Sequence, residues 1–180
     1  QITPKGIART FQNIRLFPSL TCIENVMSGA HCHAVSGLGL SIFHFPAQQE
    51  EERRMLELAS YCLHQVGLWE YRNELAKNLP YGKQKVLEIA RALASSPRLL
   101  VLDDPSSGLN DAETEDLMGL LSKLLADGYS LLLIEHDMNV VMGISDTVTV
   151  MEMGTKVAED LPQNIYNNPR VVEAYLGKEE

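Results

Sequence analysis

The sequence predicts an α/β protein that has a parallel sheet and a helical insert at roughly residues 16–92. Two short apolar runs, residues 99–102 and 131–134, have the length of buried strands, and a leucine-rich helical pattern separates them. Strand, helix and strand at this spacing form the crossover unit of a parallel sheet. Residues 47–66 carry apolar side chains at the spacing of an amphipathic helix, which predicts the insert.

Two adjacent carboxylates, Asp103 and Asp104, follow the first of these strands, and Pro105 then ends it. Ligands of open α/β sheets bind at the carboxyl ends of the strands. Because neighbouring side chains of an extended chain point to opposite sides, we expect the two carboxylates to serve different purposes, such as holding a metal and polarising a water. The alternative is a buried strand followed by an acidic turn.

Two further polar side chains are predicted at the same edge of the sheet. His136 stands two residues past the second apolar run, which we expect to be a buried strand. Gln12 follows residues 6–11, which have the pattern of a short strand, and its amide oxygen could reach a metal or a water. A lone histidine or glutamine at such a place is usually structural, but here both would converge with the carboxylates.

Residues 78–84 run directly into a predicted helix and contain Pro80, Gly82 and Lys83. The start of a helix offers free N–H groups and a favourable dipole, glycine lets a phosphate approach, and lysine adds a cation. A phosphate site is therefore one interpretation, and a plain turn with proline near the first helical turn is the other. The buried face of this helix is predicted to consist of Val86, Ile89, Ala90, Leu93 and Ala94.

Local signals also predict where other elements begin and turn. Helix-capping residues are expected at Thr21 with Glu24, Asn110 with Glu113, Asp137, and Asn168. Residues 147–151 and 155–158 are predicted to form a hairpin that turns at Gly154.

Composition excludes several classes of protein. The 180 residues are 45% hydrophobic and carry a net charge of −9 with no basic run, which favours a folded domain and argues against a nucleic-acid partner. No apolar run approaches the ~18 residues of a membrane span, and we expect no signal peptide. Three cysteines without a C-x-x-C pair indicate free thiols. A metal at His31, Cys32 and His33 is an alternative, although no second cluster stands at zinc-like spacing.

Five short motifs follow one another along the chain. They are Thr10-Phe11-Gln12, Leu79-Pro80-Tyr81-Gly82-Lys83-Gln84, the strand that ends in Asp103-Asp104-Pro105, Ser107-Gly108-Leu109-Asn110, and Ile134-Glu135-His136-Asp137. Together they resemble the motifs of the nucleotide-binding subunits of ABC transporters. The match covers essentially the whole chain, and residues 6–12 and 170–177 resemble the branch that imports branched-chain amino acids.

The resemblance implies a role for each motif. Gln12 would contact magnesium or water and couple to the membrane subunits, and Asp103 would position magnesium. Asp104 stands where the family has its catalytic glutamate, and His136 would lie at the γ-phosphate. Two sets would act across a dimer: the signature motif, Leu79, Pro80, Tyr81, Gly82, Lys83 and Gln84, and the D-loop, Ser107, Gly108, Leu109 and Asn110.

The same resemblance implies a P-loop NTPase-like sheet core, incomplete here, formed by residues 1–15 and 93–180. A helical subdomain would span residues 16–92, and a helical tail residues 160–180. The expected cofactors are ATP and Mg²⁺. The expected partners are a second ATP-binding subunit, identical or different, and integral membrane transporter subunits, at the cytoplasmic face of the inner membrane.

Three departures from the family pattern bear on catalysis. No G-x-x-x-x-G-K-[ST] phosphate loop, which in the family precedes the Gln12 motif, occurs in the 180 residues. Without that loop the β- and γ-phosphates lose most of their donors. Asp104 is one methylene shorter than glutamate, and a misplacement of about 1 Å can cost ~10²-fold in rate. Pro80 replaces the usual serine, which removes a hydroxyl and an N–H.

Three hypotheses follow from these residues. They are an ATP-hydrolysing transporter subunit, seen as a fragment or a decayed copy; a non-catalytic or regulatory module that keeps the dimer and membrane-docking surfaces; and an unrelated α/β domain. In the resembled family the phosphate-loop strand lies beside the strand that precedes His136. We therefore expect either a gap beside residues 131–134 or direct pairing of that strand with residues 147–151, and an exposed edge that is prone to aggregation.

Overall fold

The structure of the chain, a computed structural model, describes residues 3–30 and 46–176. It divides into two compact units, Gln1–Ile134 and Glu135–Glu180. Each unit is described by itself below. The finer division into core segments and a helical subdomain stays a prediction.

Within the described residues, the sheet of the first unit has three parallel strands. They are β1 (Ile7–Arg9), β2 (Leu99–Asp103) and β3 (Ser130–Ile134), hydrogen-bonded in the order β1-β2-β3. The register places Asp103, the last residue of β2, opposite Ile134, the last residue of β3. The predicted α/β class with a parallel sheet is confirmed, and the strands end at a common edge.

β2 lies in the centre of this sheet and is buried as predicted. Leu100 and Leu102 are fully buried, while Leu99 and Val101 on the opposite face are partly buried. A central parallel strand has a hydrogen-bonded neighbour along each edge, and burial of its side chains depends on the elements that pack on the two faces of the sheet.

β3 corrects the prediction that both apolar runs are buried. Leu132 and Ile134 are 51% and 48% exposed. Among the strands that the structure describes, β3 pairs with β2 alone, while β4 (Val148–Glu152) pairs with β5 (Thr155–Asp160). The expected direct pairing of β3 with residues 147–151 is therefore not found among the described strands. A strand at the margin of a sheet has fewer elements packed against it, so a leucine-rich sequence does not by itself bury it.

α4 (Asp111–Ala126) connects β2 to β3. The backbone N–H of Glu113 donates to Asn110 Oδ1 at 3.0 Å, and the backbone N–H of Asn110 donates to Glu113 Oε2 at 3.1 Å, which confirms the predicted cap. The helix buries Leu117, Leu121 and Leu124. Gly128 follows with φ +92°, a conformation that favours glycine after a helix.

Three helices of the first unit pack against one another: α1 (Cys22–Ala30), α2 (Pro46–Gln65) and α3 (Tyr81–Leu93). Thr21 and Glu24 cap α1 as predicted, since the Thr21 N–H donates to Glu24 Oε2 at 2.7 Å. α2 confirms the predicted amphipathic helix. It buries Ala59, Cys62 and Leu63, and its polar face carries ion pairs among Glu50, Arg53, Arg54 and Glu57.

The buried face of α3 is wider than the apolar pattern predicts. Ile89, Ala90, Leu93 and Ala94 are buried as expected. Val86 is only partly buried, whereas Leu87 is fully buried and Lys85 and Glu88 are 5% and 4% exposed. α3 contacts α1, α2 and β1, so it is covered on more than the single stripe that an amphipathic pattern assumes.

As far as residue 176, where the description ends, the second unit combines a hairpin with three short helices, α5 (Met138–Ile144), α6 (Pro162–Tyr166) and α7 (Pro169–Leu176). β4 and β5 are antiparallel and Gly154 adopts φ +78° in the turn, which confirms the predicted hairpin. Its small core contains Val148, Val150, Ile165 and Val171. In the described part of the chain, no helix combines the length and apolar character needed to cross a membrane.

Candidate functional site

The carboxyl end of β2 places Asp103 beside Arg9, the last residue of β1. The Arg9 guanidinium donates to Asp103 Oδ2 at 2.6 Å, and its carbon lies 5.5 Å from the centre of the Phe11 ring. Because β1 and β2 are parallel neighbours, side chains at their ends can meet at one edge. Arg9 is absent from the predicted site, since its nearness to Asp103 follows only from the strand order.

Asp104 leaves the extended conformation directly after β2. Its φ is +55°, in the left-handed region that few non-glycine residues adopt, so the expectation of two carboxylates on one extended chain is wrong at this residue. The Asp104 N–H donates to the Ile134 carbonyl at 2.8 Å, and the Asp104 carbonyl accepts from the Ser107 N–H at 3.3 Å and from the Lys85 ammonium at 2.8 Å. The side chain meets the predicted site residue Gln12, whose Nε2 donates to Asp104 Oδ2 at 2.9 Å.

The segment after Gln12 has no regular secondary structure and is held by side chains of two helices. The Arg15 N–H donates to the carboxylate of Glu88 on α3 at 3.2 Å. Asn25 of α1 accepts from the Phe17 N–H at 2.8 Å and donates to the Phe17 carbonyl at 3.0 Å. Burial raises the pKa of the Glu88 carboxyl above its usual range.

The predicted anion site at the start of α3 is an ordered turn. Pro80 occupies the N-cap position, and the Gln84 side chain donates to the Leu79 carbonyl at 2.8 Å. The Lys83 ammonium lies 4.8 Å from the centre of the Tyr71 ring. Lysine over an aromatic face is a favourable cation–π contact, so a phosphate at this turn would compete with the ring for the ammonium.

The start of α3 is in close contact with the loop before α4. A Cβ added at Gly82 would come within 2.6 Å of Glu113 Oε1. A Cβ added at Gly108, whose φ is +79°, would come within 2.9 Å of Tyr81 Cε1. Gly108 is required by its positive φ and by the nearby ring, whereas at Gly82 the nearest atom is the end of a flexible side chain. The contact between Tyr81 and Gly108 brings two of the predicted site motifs together.

His136 belongs to the second unit, two residues beyond the end of β3. Its side chain is 72% exposed, and its backbone N–H donates to Glu135 Oε2 at 2.9 Å. The same carboxylate oxygen lies 3.4 Å from His136 Nδ1. The role expected of this histidine stays a prediction.

The structure thus joins Gln12 to Asp104 and the Tyr81 motif to Gly108, while the chemical roles of these residues remain predictions. The alternative metal site at residues 31–33 lies outside the described residues. Sequence reasoning missed Lys85 and Glu88. The sequence offered one signal for them. If the buried face of α3 is wider than its apolar stripe, these two charged residues lie on it.

Comparison with known proteins assigns this chain to a family. A family model described as ABC transporter matches residues 1–107. The chain is 44% identical over 179 residues to the high-affinity branched-chain amino acid transport ATP-binding protein BraF of Pseudomonas aeruginosa, covering 99% of this chain and 70% of that protein. It is 43% identical over 179 residues to LivG of Salmonella typhimurium, with the same coverage, and 34% identical over 182 residues to a probable LivG of Archaeoglobus fulgidus, covering 100% of this chain and 69% of that protein.

Solved structures agree with the sequence comparison. A structure described as the ADP conformation of an ATP-binding cassette of an ABC transporter matches with a TM-score of 0.81 and 31% identity, covering 98% of this chain and 70% of that one. A nucleotide-free ATP-binding cassette matches with a TM-score of 0.80 and 31% identity, covering 98% and 71%. The fold and the ordered motifs therefore define an ATP-binding cassette. The chain belongs to the ABC transporter family.

Proposed function

We propose that this chain acts in the ATP-binding subunit of an ABC importer for branched-chain amino acids. The observation that carries the proposal is the 44% identity, across 99% of the chain, to a protein named for that transport. The partners would be a second ATP-binding subunit and integral membrane transporter subunits. Docking on those subunits would place the chain at the cytoplasmic face of the inner membrane.

The donors at the end of β2 suit Mg²⁺. Asp103 and Asp104 offer carboxylate oxygens and Gln12 an amide oxygen, the hard ligands that this ion takes. We assign Asp103 and Gln12 to the ion, which when bound would neutralise phosphate charge. Asp104 is assigned to orienting a water, and the amide of Gln12 holds its carboxylate in place. Arg9 bonds one oxygen of Asp103 and would compete with a cation for that carboxylate.

The described residues do not fit the phosphates of ATP. The 180 residues contain no G-x-x-x-x-G-K-[ST] loop, and Pro80 removes an N–H at the start of α3. No hydrolysis step is therefore assigned to these residues alone. We propose that the 180-residue chain by itself neither binds ATP tightly nor hydrolyses it.

Two motifs are assigned to the nucleotide of an intact partner subunit. Gly82 and Lys83 at the start of α3 would contact its phosphates, and Ser107, Gly108 and Asn110 would face the same partner. The packing of Tyr81 against Gly108 supports this assignment, because it makes the two motifs parts of one surface. His136 is assigned separately, to the γ-phosphate of a nucleotide bound by this chain, as the resemblance implies.

A second candidate is a non-catalytic or regulatory module that keeps the dimer and docking surfaces. The observation in its favour is Asp104 in place of the family's glutamate. Both candidates predict the same partners but differ in whether the chain changes the turnover of the partner subunit.

The experiment measures ATP binding by calorimetry and Mg²⁺-dependent phosphate release, first on the 180-residue chain and then with an intact ATP-binding partner and the membrane subunits of a branched-chain amino acid importer. The lone chain should show neither. Magnesium-dependent turnover by the lone chain that Asp103→Ala abolishes, while Asp116→Ala on the exposed face of α4 does not, would contradict the proposal. In the complex, Lys83→Ala, which removes the cation of this motif without adding a side chain, should lower turnover if the chain assists catalysis, and an unchanged rate would favour the regulatory module.

A further inference from the structure

Two charged side chains lie on the buried face of α3, and neither belongs to the site residues assigned above. Lys85 is 5% exposed and Glu88 is 4% exposed, although lysine and glutamate are almost never this buried unless they are paired. Residues three apart share one side of a helix. From that side, Lys85 reaches the turn at Asp104, and Glu88 reaches the segment that follows Gln12.

Lys85 bonds the left-handed turn at the end of β2. Its ammonium donates to the Asp104 carbonyl at 2.8 Å, a charge-assisted bond that is stronger than one between neutral groups. A non-glycine residue at φ +55° persists only where its surroundings hold it there. In this conformation the Asp104 carboxylate accepts the bond from Gln12.

Glu88 bonds the segment that carries Gln12. Its carboxylate accepts the Arg15 N–H at 3.2 Å and lies 3.5 Å from the guanidinium of Arg91. Arg91 in turn donates to the Arg15 carbonyl. The backbone N–H and carbonyl of Arg15 are therefore bonded to two side chains, Glu88 and Arg91, that lie one turn apart on α3. In sequence, Gln12 lies between the last residue of β1 and Arg15, so the backbone is held on both sides of it.

These contacts form a closed ring. Lys85 of α3 bonds Asp104, and Asp104 bonds Gln12. The backbone then runs from Gln12 to Arg15, which bonds Glu88 of α3. We propose that Lys85 and Glu88 are positioning residues that set the contact between Gln12 and Asp104. The inference rests on the proposed function, because the contact matters for the reaction only if Gln12 and Asp104 have the roles assigned above. The contact itself can be measured without nucleotide, so the two proposals fail separately.

The first test follows the side-chain amide of Gln12 by ¹H–¹⁵N NMR in the 180-residue chain, with Gln12→Glu to identify the signal. Lys85→Met should move the signal to the position of a free glutamine, and Lys85→Arg, which keeps a cationic donor, should retain most of the original shift. Lys123→Met is the matched control, since Lys123 also donates to a backbone carbonyl, that of Gln65 at 2.9 Å. It should leave the Gln12 signal unchanged.

The second test measures hydrogen exchange of the Arg15 amide. Glu88→Ala should accelerate exchange at least about tenfold, whereas Glu88→Gln, which keeps an oxygen acceptor, should change it less than about threefold. Leu87→Ala is the control. Leu87 is fully buried on the same helix, so this substitution weakens the core without removing the Glu88 carboxylate that accepts the bond.

Two outcomes would overturn the proposal. One is an unchanged Gln12 signal in folded Lys85→Met. The other is Arg15 exchange that is no faster in Glu88→Ala than in Leu87→Ala. Urea unfolding of every variant separates a lost contact from a general loss of stability. If Lys85→Met does not fold, the Glu88 pair and its control decide the question.

Discussion

β2 and β3 are similar in sequence and opposite in surroundings. Both are five-residue strands rich in leucine, yet β2 buries Leu100 and Leu102 completely while β3 leaves Leu132 and Ile134 about half exposed. The difference follows from the strand order, because β2 has a neighbour along each edge and β3 pairs with β2 alone among the described strands. An apolar run therefore predicts that a strand exists, and its place in the sheet decides how far it is buried.

The largest effect is expected from shortening a leucine in each strand. Leu102→Ala removes a fully buried side chain and leaves a cavity, so it should lower the free energy of unfolding by about 2–5 kcal/mol. Leu132→Ala removes a side chain that is 51% exposed and should cost less than about 1 kcal/mol. Urea denaturation of both variants measures the difference. Equal losses would show that β3 is as well packed as β2.

A smaller loss is expected at the cap of the helix that joins the two strands. Asn110→Ala removes the acceptor of the Glu113 N–H and should cost about 1 kcal/mol in the same unfolding experiment. Asp116→Ala, on the exposed face of the same helix, is the control and should have little effect. If the two variants unfold alike, the capping box does not stabilise the crossover between β2 and β3.

Local signals were sufficient for most elements and insufficient for the contacts of the site. Capping pairs such as Asn110 with Glu113 involve neighbours in sequence, so the pattern alone predicted them. The bonds from Lys85 to Asp104 and from Arg9 to Asp103 join residues 19 and 94 positions apart, and they depend on the packing of α3 and the order of the strands. The sequence also does not predict the positive φ of Asp104, because that conformation depends on the hydrogen bonds that hold the turn.

The exposed face of β3 should affect association of the chain. Leu132 and Ile134 form an apolar strip on an edge strand, so the purified 180-residue chain should self-associate at micromolar concentrations. Leu132→Lys should raise the monomer fraction in sedimentation velocity, because a charge on an edge strand opposes pairing. Gln49→Lys on α2, an exposed residue outside the sheet, controls for the change in net charge. A wild-type chain that is monomeric and melts cooperatively at high temperature would remove the basis for this prediction.

The smallest effect concerns the end of β2, where the carboxylate of Asp103 is bonded to Arg9. The two side chains are 23% and 54% exposed, and an ion pair of this kind contributes roughly 0–1 kcal/mol. A divalent cation at Asp103 would have to overcome that interaction, so Arg9→Gln should tighten the binding of Mn²⁺, used as a paramagnetic substitute for Mg²⁺, by up to about fivefold. Electron paramagnetic resonance of free Mn²⁺ measures the affinity without nucleotide.

Two variants bracket this result. Arg54→Gln breaks a comparable exposed ion pair on α2, with Glu50, and should leave Mn²⁺ affinity unchanged, whereas Asp103→Ala should remove most of the binding. An affinity that does not change in Arg9→Gln would show that cation and guanidinium do not compete. The ion would then bind an oxygen of Asp103 that Arg9 leaves accessible. The ion pair at the end of β2 would serve to orient the carboxylate toward the cation.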